Sequence, residues 1–395
     1  MWIASTASNI GTWMHTVGAS WLMATMAASP LLVALVQTAT TLPVFLLALP
    51  SGVMADLVDR RKLLIFTQSW MLGVAAVLGV LAIFGAVGPW TLLWLTFALG
   101  IGSAMNGPAW AAAIPELVPR EELPAAVALN SVGFNIARAV GPALGGIVMA
   151  SAGAGAVFIL NAVSFLGVII VLWTWKERPP AVREVGTRFR DAMREGFVYV
   201  RGSQAFRAVL VRAGMFSLAA SALWALLPVV AKQEMNSTSL GYGILLGCLG
   251  TGSVIGAAIL APMRSRYSVD QIVAVGVPLF AIATLGLALI RTLSLVALAM
   301  TVGGVAWLTV MSSFNVCAQT TPPHFMRARA LAFYLLVFQG ALAIGSGIWG
   351  EVARRVGVRA SLLMAAAAMV AGLVGGRNMK LSGSGQAVPE PVAAQ

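Results

Sequence analysis

Charge is what this chain lacks. Of 395 residues only 10% are charged, and just 13 are Asp or Glu. Soluble globular domains carry about a quarter charged residues, so an ordinary water-soluble fold is excluded. No carboxylate lies deep in any of the long apolar runs; Asp56, Glu116 and Glu351 stand near their ends. Holding a proton and a cation in turn within an apolar environment takes a buried carboxylate, so this shortage points away from cationic ligands.

Cysteine and histidine are equally sparse, at two each. Cys248 and Cys317 both fall in apolar stretches and read as small buried hydrophobes. No metal-ligand spacing surrounds either, so no metal and no cofactor are expected. Gly-x-Ser-x-Gly, His-Glu-x-x-His and phosphate-loop patterns are missing, which argues against an enzyme. Met1-Trp2-Ile3 enters an apolar run with no basic lead, so no cleavable signal is expected and the native start is expected upstream of Met1.

Hydrophobic residues make up 59% of the chain and fall into runs long enough to cross a bilayer. Spans are expected near 2–26, 31–54, 63–86, 91–112, 125–150 and 155–175. A second set is expected near 208–231, 241–262, 271–290, 294–317, 330–352 and 360–376. The fold class is therefore an all-α membrane protein of twelve transmembrane helices in two six-helix bundles. The bundles cover 1–175 and 208–376, joined by a polar linker at 176–207 and followed by a Gly/Ser/Pro-rich tail at 377–395, expected to be disordered.

The net charge of +12 is scattered between spans, which fits membrane topology and not nucleic-acid binding. With the N-terminus inside, eighteen Lys and Arg fall on the cytoplasmic side. Only Lys232, Arg291, Arg354, Arg355 and Arg359 fall outside. That bias places both termini in the cytoplasm of a plasma or inner membrane. Within the linker, Phe189, Ala192, Met193, Phe197 and Val200 recur at helical spacing, with Arg188, Arg190, Arg194 and Arg201 opposite. Residues 187–201 are expected to lie as an amphipathic helix on the anionic inner leaflet.

The halves echo each other. A shift of 204 positions lays Pro119 on Pro323, Gly141 on Gly345 and Gly146 on Gly350. Two related bundles around a central path are the architecture of an alternating-access carrier.

Between spans two and three runs Gly52-Val-Met-Ala-Asp56-Leu-Val-Asp59-Arg60-Arg61-Lys62. It resembles the signature loop of the major facilitator superfamily, Gly-x-x-x-Asp-Arg-x-Gly-Arg-Arg/Lys, matching at Gly52, Asp56, Arg60 and Arg61. Leu57 and Asp59 depart from that pattern. The resemblance implies that Asp56 caps the start of span eleven and, with Arg60, latches the cytoplasmic gate.

In span five, Gly141-Pro142-x-x-Gly145-Gly146 resembles the superfamily's export-associated motif, with Ala137 at its earlier glycine. Small residues let backbones approach, and proline frees a carbonyl so the helix can bend. Span eight carries Gly243, Gly247, Gly250, Gly252 and Gly256, and the family packs it on span five. Asn135-x-x-Arg138 and the Asn9-to-Met14 start of span one resemble the enterobactin-exporter-like, transmembrane secretion effector branch.

A charge near the middle of a span costs several kcal/mol unless it faces protein or water, so Arg138 is expected to bind cargo or gate the path. Asn9, His15, Gln37, Asn106, Asn135, Asn315 and Gln339 are further polar candidates. Trp13, Phe134, Trp224, Trp307 and Tyr334 are candidates for an aromatic wall. For each of these polar and aromatic groups the competing reading is a helix–helix or lipid contact.

The expected function is proton-coupled export of a small amphipathic metabolite, siderophore-like or drug-like, by a monomer. The alternatives are an importer or facilitator of a small anionic solute, and a non-transporting membrane sensor or scaffold.

Overall fold

The structure is a computed structural model that describes residues 1–175, 189–323 and 326–381. At positions 48, 49, 52, 53, 55–57, 120, 189–193 and 328 it describes the backbone alone. No strand occurs among the described residues. A backbone in hydrocarbon must satisfy its own hydrogen bonds, and helices do so within one segment.

The first bundle holds α1 (Trp2–Met26), α2 (Pro30–Leu57), α3 (Arg60–Ile83), α4 (Pro89–Leu117) and α5 (Leu123–Thr174). The chain then enters α6 (Phe189–Gly202). The second bundle holds α7 (Gln204–Val229), α8 (Ser239–Arg264), α9 (Val269–Leu289), α10 (Leu293–Thr320), α11 (Arg327–Val356) and α12 (Val358–Gly375).

At 52 residues α5 is too long for one crossing. It is two spans joined without a loop at Gly153, whose φ of 80° is open to glycine and strained for other residues. Counting both limbs, twelve membrane-crossing segments are present among the described residues. Most helices overrun the expected spans by up to a turn, because polar residues at their ends can face headgroups while keeping helical bonds.

Helix starts follow local chemistry. Asp59 accepts from the Lys62 backbone N–H at 2.9 Å and starts α3. Ser203 and Thr238 do the same for α7 and α8, and Ser268 with Gln271 forms a capping box on α9. Prolines at the first helical position open α2 and α4, where the missing N–H has no partner to lose. A π turn, Val230–Glu234, follows Pro228 at the end of α7.

The internal echo reappears as matched neighbours. Gly141 packs on Ile10 and Trp13 of α1, and Gly345 packs on Leu218 and Ser221 of α7. Gly146 crosses α8 at Ser239 and Gly243, and Gly350 crosses α2 at Leu31 and Ala34. The first limb of α5 therefore bridges to the second bundle as α11 bridges to the first, which is the pseudo-twofold arrangement of the fold class. The second bundle has the denser centre: Phe216, Phe280, Phe314 and Trp307 meet with ring centres 5.6–6.3 Å apart.

Candidate functional site

Arg138 sits about midway along the first limb of α5, at the seam between bundles. Its guanidinium carbon lies 5.9 Å from the Trp13 ring of α1 and 5.8 Å from the Trp224 ring of α7. The two rings come from different bundles, so the cation links them through their π faces. Its buried Nε has no acceptor, and neither does Trp224 Nε1. Trp224 is braced edge-on by Trp307 at 5.3 Å, and Trp307 is in turn 6.1 Å from Phe338. The aromatic wall is thus built mainly from α7, α10 and α11, with Trp13 facing it.

Two backbone crossings frame this point. At the first, Ser239 Oγ donates to the Gly146 carbonyl at 3.3 Å. A Cβ on Gly243 would stand 2.6 Å from the Pro142 carbonyl oxygen, so α5 and α8 touch backbone to backbone here. At the second, Thr38 Oγ1 of α2 donates to the Ala343 carbonyl of α11 at 2.9 Å. Gln37 and Gln339 flank that crossing, partly buried, their side-chain amides without a hydrogen bond to another described residue. Asn9, in α1, is in the same condition.

The glycine stripes divide differently from expectation. Gly141 and Gly145 face α1, through Trp13 and Met14; Pro142 and Gly146 face α8. On α8, Gly243 and Gly247 meet α5, and Gly250 meets it at Arg138 itself. Beyond that point Gly252 and Gly256 turn to Thr301 and Val305 of α10. The crossing therefore ends at the level of Arg138. One turn before it, on the side where α1 begins and α12 ends (the terminal face), Phe134 is 48% exposed.

The opposite face carries a cross-bundle plug that sequence reasoning missed. Trp21 of α1 is stacked on Tyr242 of α8 at 5.8 Å, with Lys232 of the π turn 5.5 Å from its ring centre. Both aromatics are buried. Aromatic residues near span ends are read by default as facing lipid, and only the packing of two bundles reveals this trio.

At the terminal face the described polar contacts stay within a bundle or join the second bundle to α6. Arg60 pairs with Glu116 at the end of α4 instead of reaching across the seam, because the first turn of α3 lies beside that helix end. Arg61 donates from Nε to the Leu172 carbonyl and from Nη2 to that of Trp173, each at 2.9 Å. Arg329, in the first turn of α11, pairs with Glu195 of α6, where Gly196 rests against Phe333. The side chains of Gly52 and Asp56 lie outside the described residues, as do those of Phe189, Arg190, Ala192 and Met193 on the linker helix, together with Arg188 as a whole.

Of the remaining polar candidates, Asn106 joins two helices, Asn135 and Asn315 bond within their own, and His15 has no polar partner. Asn106 Oδ1 accepts from Gln68 Nε2 at 3.1 Å and from Thr67, tying α4 to α3. Asn135 Nδ2 donates to the Ser131 carbonyl of its own helix, and Asn315 accepts from Gln319 one turn on. His15 points away from the seam into the second limb of α5, its ring 4.7 Å from Phe158, with both nitrogens unpaired. Among the described residues no cluster of His, Cys, Asp and Glu could hold a metal ion.

Residues 1–392 match the family model described as transmembrane secretion effector. The chain is 24% identical over 342 residues to the staphyloferrin A transporter of Staphylococcus aureus, covering 85% of this chain and 84% of that one. It is 23% identical over 376 residues to the multidrug efflux pump Tap of Mycobacterium tuberculosis, covering 91% and 88%. Among solved structures it resembles a bacterial homolog of the human lysosomal transporter Spinster, inward-facing and unoccupied. That likeness has a TM-score of 0.73 at 14% identity, over 96% of each chain, and concerns the fold.

Proposed function

This chain belongs to the transmembrane secretion effector family of major facilitator transporters, and we propose that it exports a small amphipathic metabolite, siderophore-like or drug-like, by proton-driven alternating access. It is a multi-pass membrane transporter and not an enzyme. The observation that carries the proposal is Arg138, a mid-span cation with an unpaired buried Nε, held between tryptophans of both bundles.

A carboxylate, phenolate or phosphate on the cargo supplies the acceptor that Arg138 lacks, and the rings of Trp13 and Trp224 give apolar surface beside it. Cargo held there touches both bundles, so its binding energy bears on their relative position. The described contacts close the opposite face through the Trp21 plug and the two crossings. In this reading cargo enters from the terminal face and leaves when the plug parts. The names of the relatives, which include a siderophore transporter and a drug efflux pump, support amphipathic cargo.

The same reading places the terminal face in the cytoplasm of the inner membrane, supported by the bias of Lys and Arg. On that face α6 presents exposed Arg194 and Arg201 beside exposed Phe197, a composition suited to an anionic leaflet. The carrier acts as a monomer.

The test compares metabolites in the medium of cells with and without the protein. Cells carrying it release a compound that Arg138→Ala cells release about 10- to 100-fold more slowly, the worth of one charge-assisted buried hydrogen bond. Arg138→Lys keeps the charge and recovers part of the rate. Collapse of the proton gradient stops release. An unchanged medium, or full release by Arg138→Ala cells, refutes the reading.

A further inference from the structure

Gln37 and Gln339 are polar side chains at the seam that the reading of Arg138 leaves unused. They belong to different bundles and stand beside the α2–α11 crossing, where Thr38 bonds the Ala343 carbonyl. Both are partly buried, and neither side-chain amide bonds to another described residue.

The helix faces show where these amides lie. α11 rests on α2 through Gly340, Gly347 and Gly350, and on α7 through Gly345 and Trp349. Between those contact faces, one side carries exposed Ile344 and Ile348 and is turned to lipid. Gln339 falls on the other side. Leu335, one turn nearer the terminal face on that same side, is 40% exposed, so the interior is open towards that face. α2 repeats the pattern. It meets α11 at Leu31, Ala34 and Phe45 and α4 at Ala39 and Pro43, with exposed Leu46 between them. Gln37 falls on the opposite side, towards the interior.

Both amides therefore border the space that Arg138 enters from α5. The rings of Trp224, Trp307 and Phe338 run from Arg138 to the residue beside Gln339. Counted from the Thr38–Ala343 bond at about 1.5 Å per helical residue, the two glutamines are roughly 8 Å apart along the path. A primary amide presents two N–H donors and an acceptor oxygen. Cargo that displaces water from these groups without replacing its hydrogen bonds leaves them unpaired, and a site so built discriminates against it. A hydrocarbon anion satisfies Arg138 and the rings but not the glutamines.

We propose that Gln37 and Gln339 form a second cargo subsite, which selects, among anions held by Arg138, those that also carry amide or hydroxyl groups. The proposal rests on the Arg138 reading for the anion and adds the class of cargo. That class is a hydrogen-bonding organic acid and not a lipophilic drug anion.

The test measures binding to the full-length protein in lipid nanodiscs by equilibrium dialysis, with two probes matched in charge and length. N-benzoylserine carries a carboxylate, an amide and a hydroxyl; phenylbutyrate joins the same ring and carboxylate through plain methylenes. The affinity ratio of the first to the second falls about two- to tenfold in Gln37→Leu and in Gln339→Leu, the worth of one neutral hydrogen bond. Both variants keep their affinity for phenylbutyrate, which shows that the path is intact. A ratio unchanged in both variants overturns the proposal. So does an equal loss of both probes, which would assign the glutamines to the packing of the path. Arg138→Ala weakens both probes together and leaves the ratio as it is. If it weakens neither, the anion reading of Arg138 fails, while the ratio still reports on the glutamines.

Discussion

Adding one methyl group at Gly146 tests whether the α5–α8 crossing works as a pivot. A Cβ there would stand 2.7 Å from the Ser239 carbonyl oxygen, 3.1 Å from the Gly243 Cα and 3.2 Å from the Leu240 Cα. All three are backbone atoms of α8, so no side-chain rotation relieves the clash. Nor can α8 back away freely, since its Gly252 and Gly256 already rest on the α10 backbone. The strain is taken up by parting α5 from α8 on the opposite face, at a cost of ~1–3 kcal/mol for overpacking a close contact. If the carrier has a second conformer in which this end is parted, the same strain favours it about five- to 150-fold.

The assay is electron–electron distance measurement between spin labels at Ser151→Cys and Gln233→Cys, both exposed on that face, with Cys248 and Cys317 replaced. In Gly146→Ala the long-distance population grows. Gly167→Ala, where an added Cβ meets nothing within 4 Å, leaves the distribution unchanged. A Gly146→Ala protein that melts earlier but keeps its distances would show rigid packing at the crossing, and the pivot would be refuted.

Trp21→Ala removes a stacked pair and a cation–π contact, together worth ~1–3 kcal/mol, from the closed side of the seam. Alkylation of a cysteine placed at Ser20 by a membrane-impermeant reagent speeds up, and an unchanged rate would show that the plug does not close that face. A different feature governs stability. Arg212, buried in α7, pairs with Asp270 of α9 and donates to the Met379 carbonyl at 2.9 Å, while Asp270 accepts from the Leu381 N–H at 3.1 Å. Arg212→Met leaves a carboxylate without its cation and costs ~3 kcal/mol. Arg212→Met with Asp270→Leu costs less than the two changes summed, read by thermal unfolding in detergent; strict additivity would mean the pair is not coupled.

Much of the architecture was legible because its causes are local. Run length and the bilayer's thickness set the spans, and the chain has too little charge for any other class. The repeat at 204 positions also announced itself, since Gly141 with Gly345 and Gly146 with Gly350 occupy equivalent crossings. The fusion of spans five and six at Gly153 was hidden, because a one-residue turn leaves no polar loop to mark it. The pairing of Arg212 with Asp270, 58 residues away on another helix, was equally hidden.

The site divides in the same way. The depth of Arg138 is a property of where it stands in an apolar run, and the sequence determined it alone. So too did the family motifs and the shortage of buried acid that turns the cargo reading away from cations. Which rings flank the guanidinium, which glycines meet α8 and which meet α10, and how Trp21 joins Lys232 and Tyr242 were decided only by tertiary structure. Each depends on the rotation and crossing of helices far apart in the chain. Helical periodicity states which residues share a face; it does not state what that face touches.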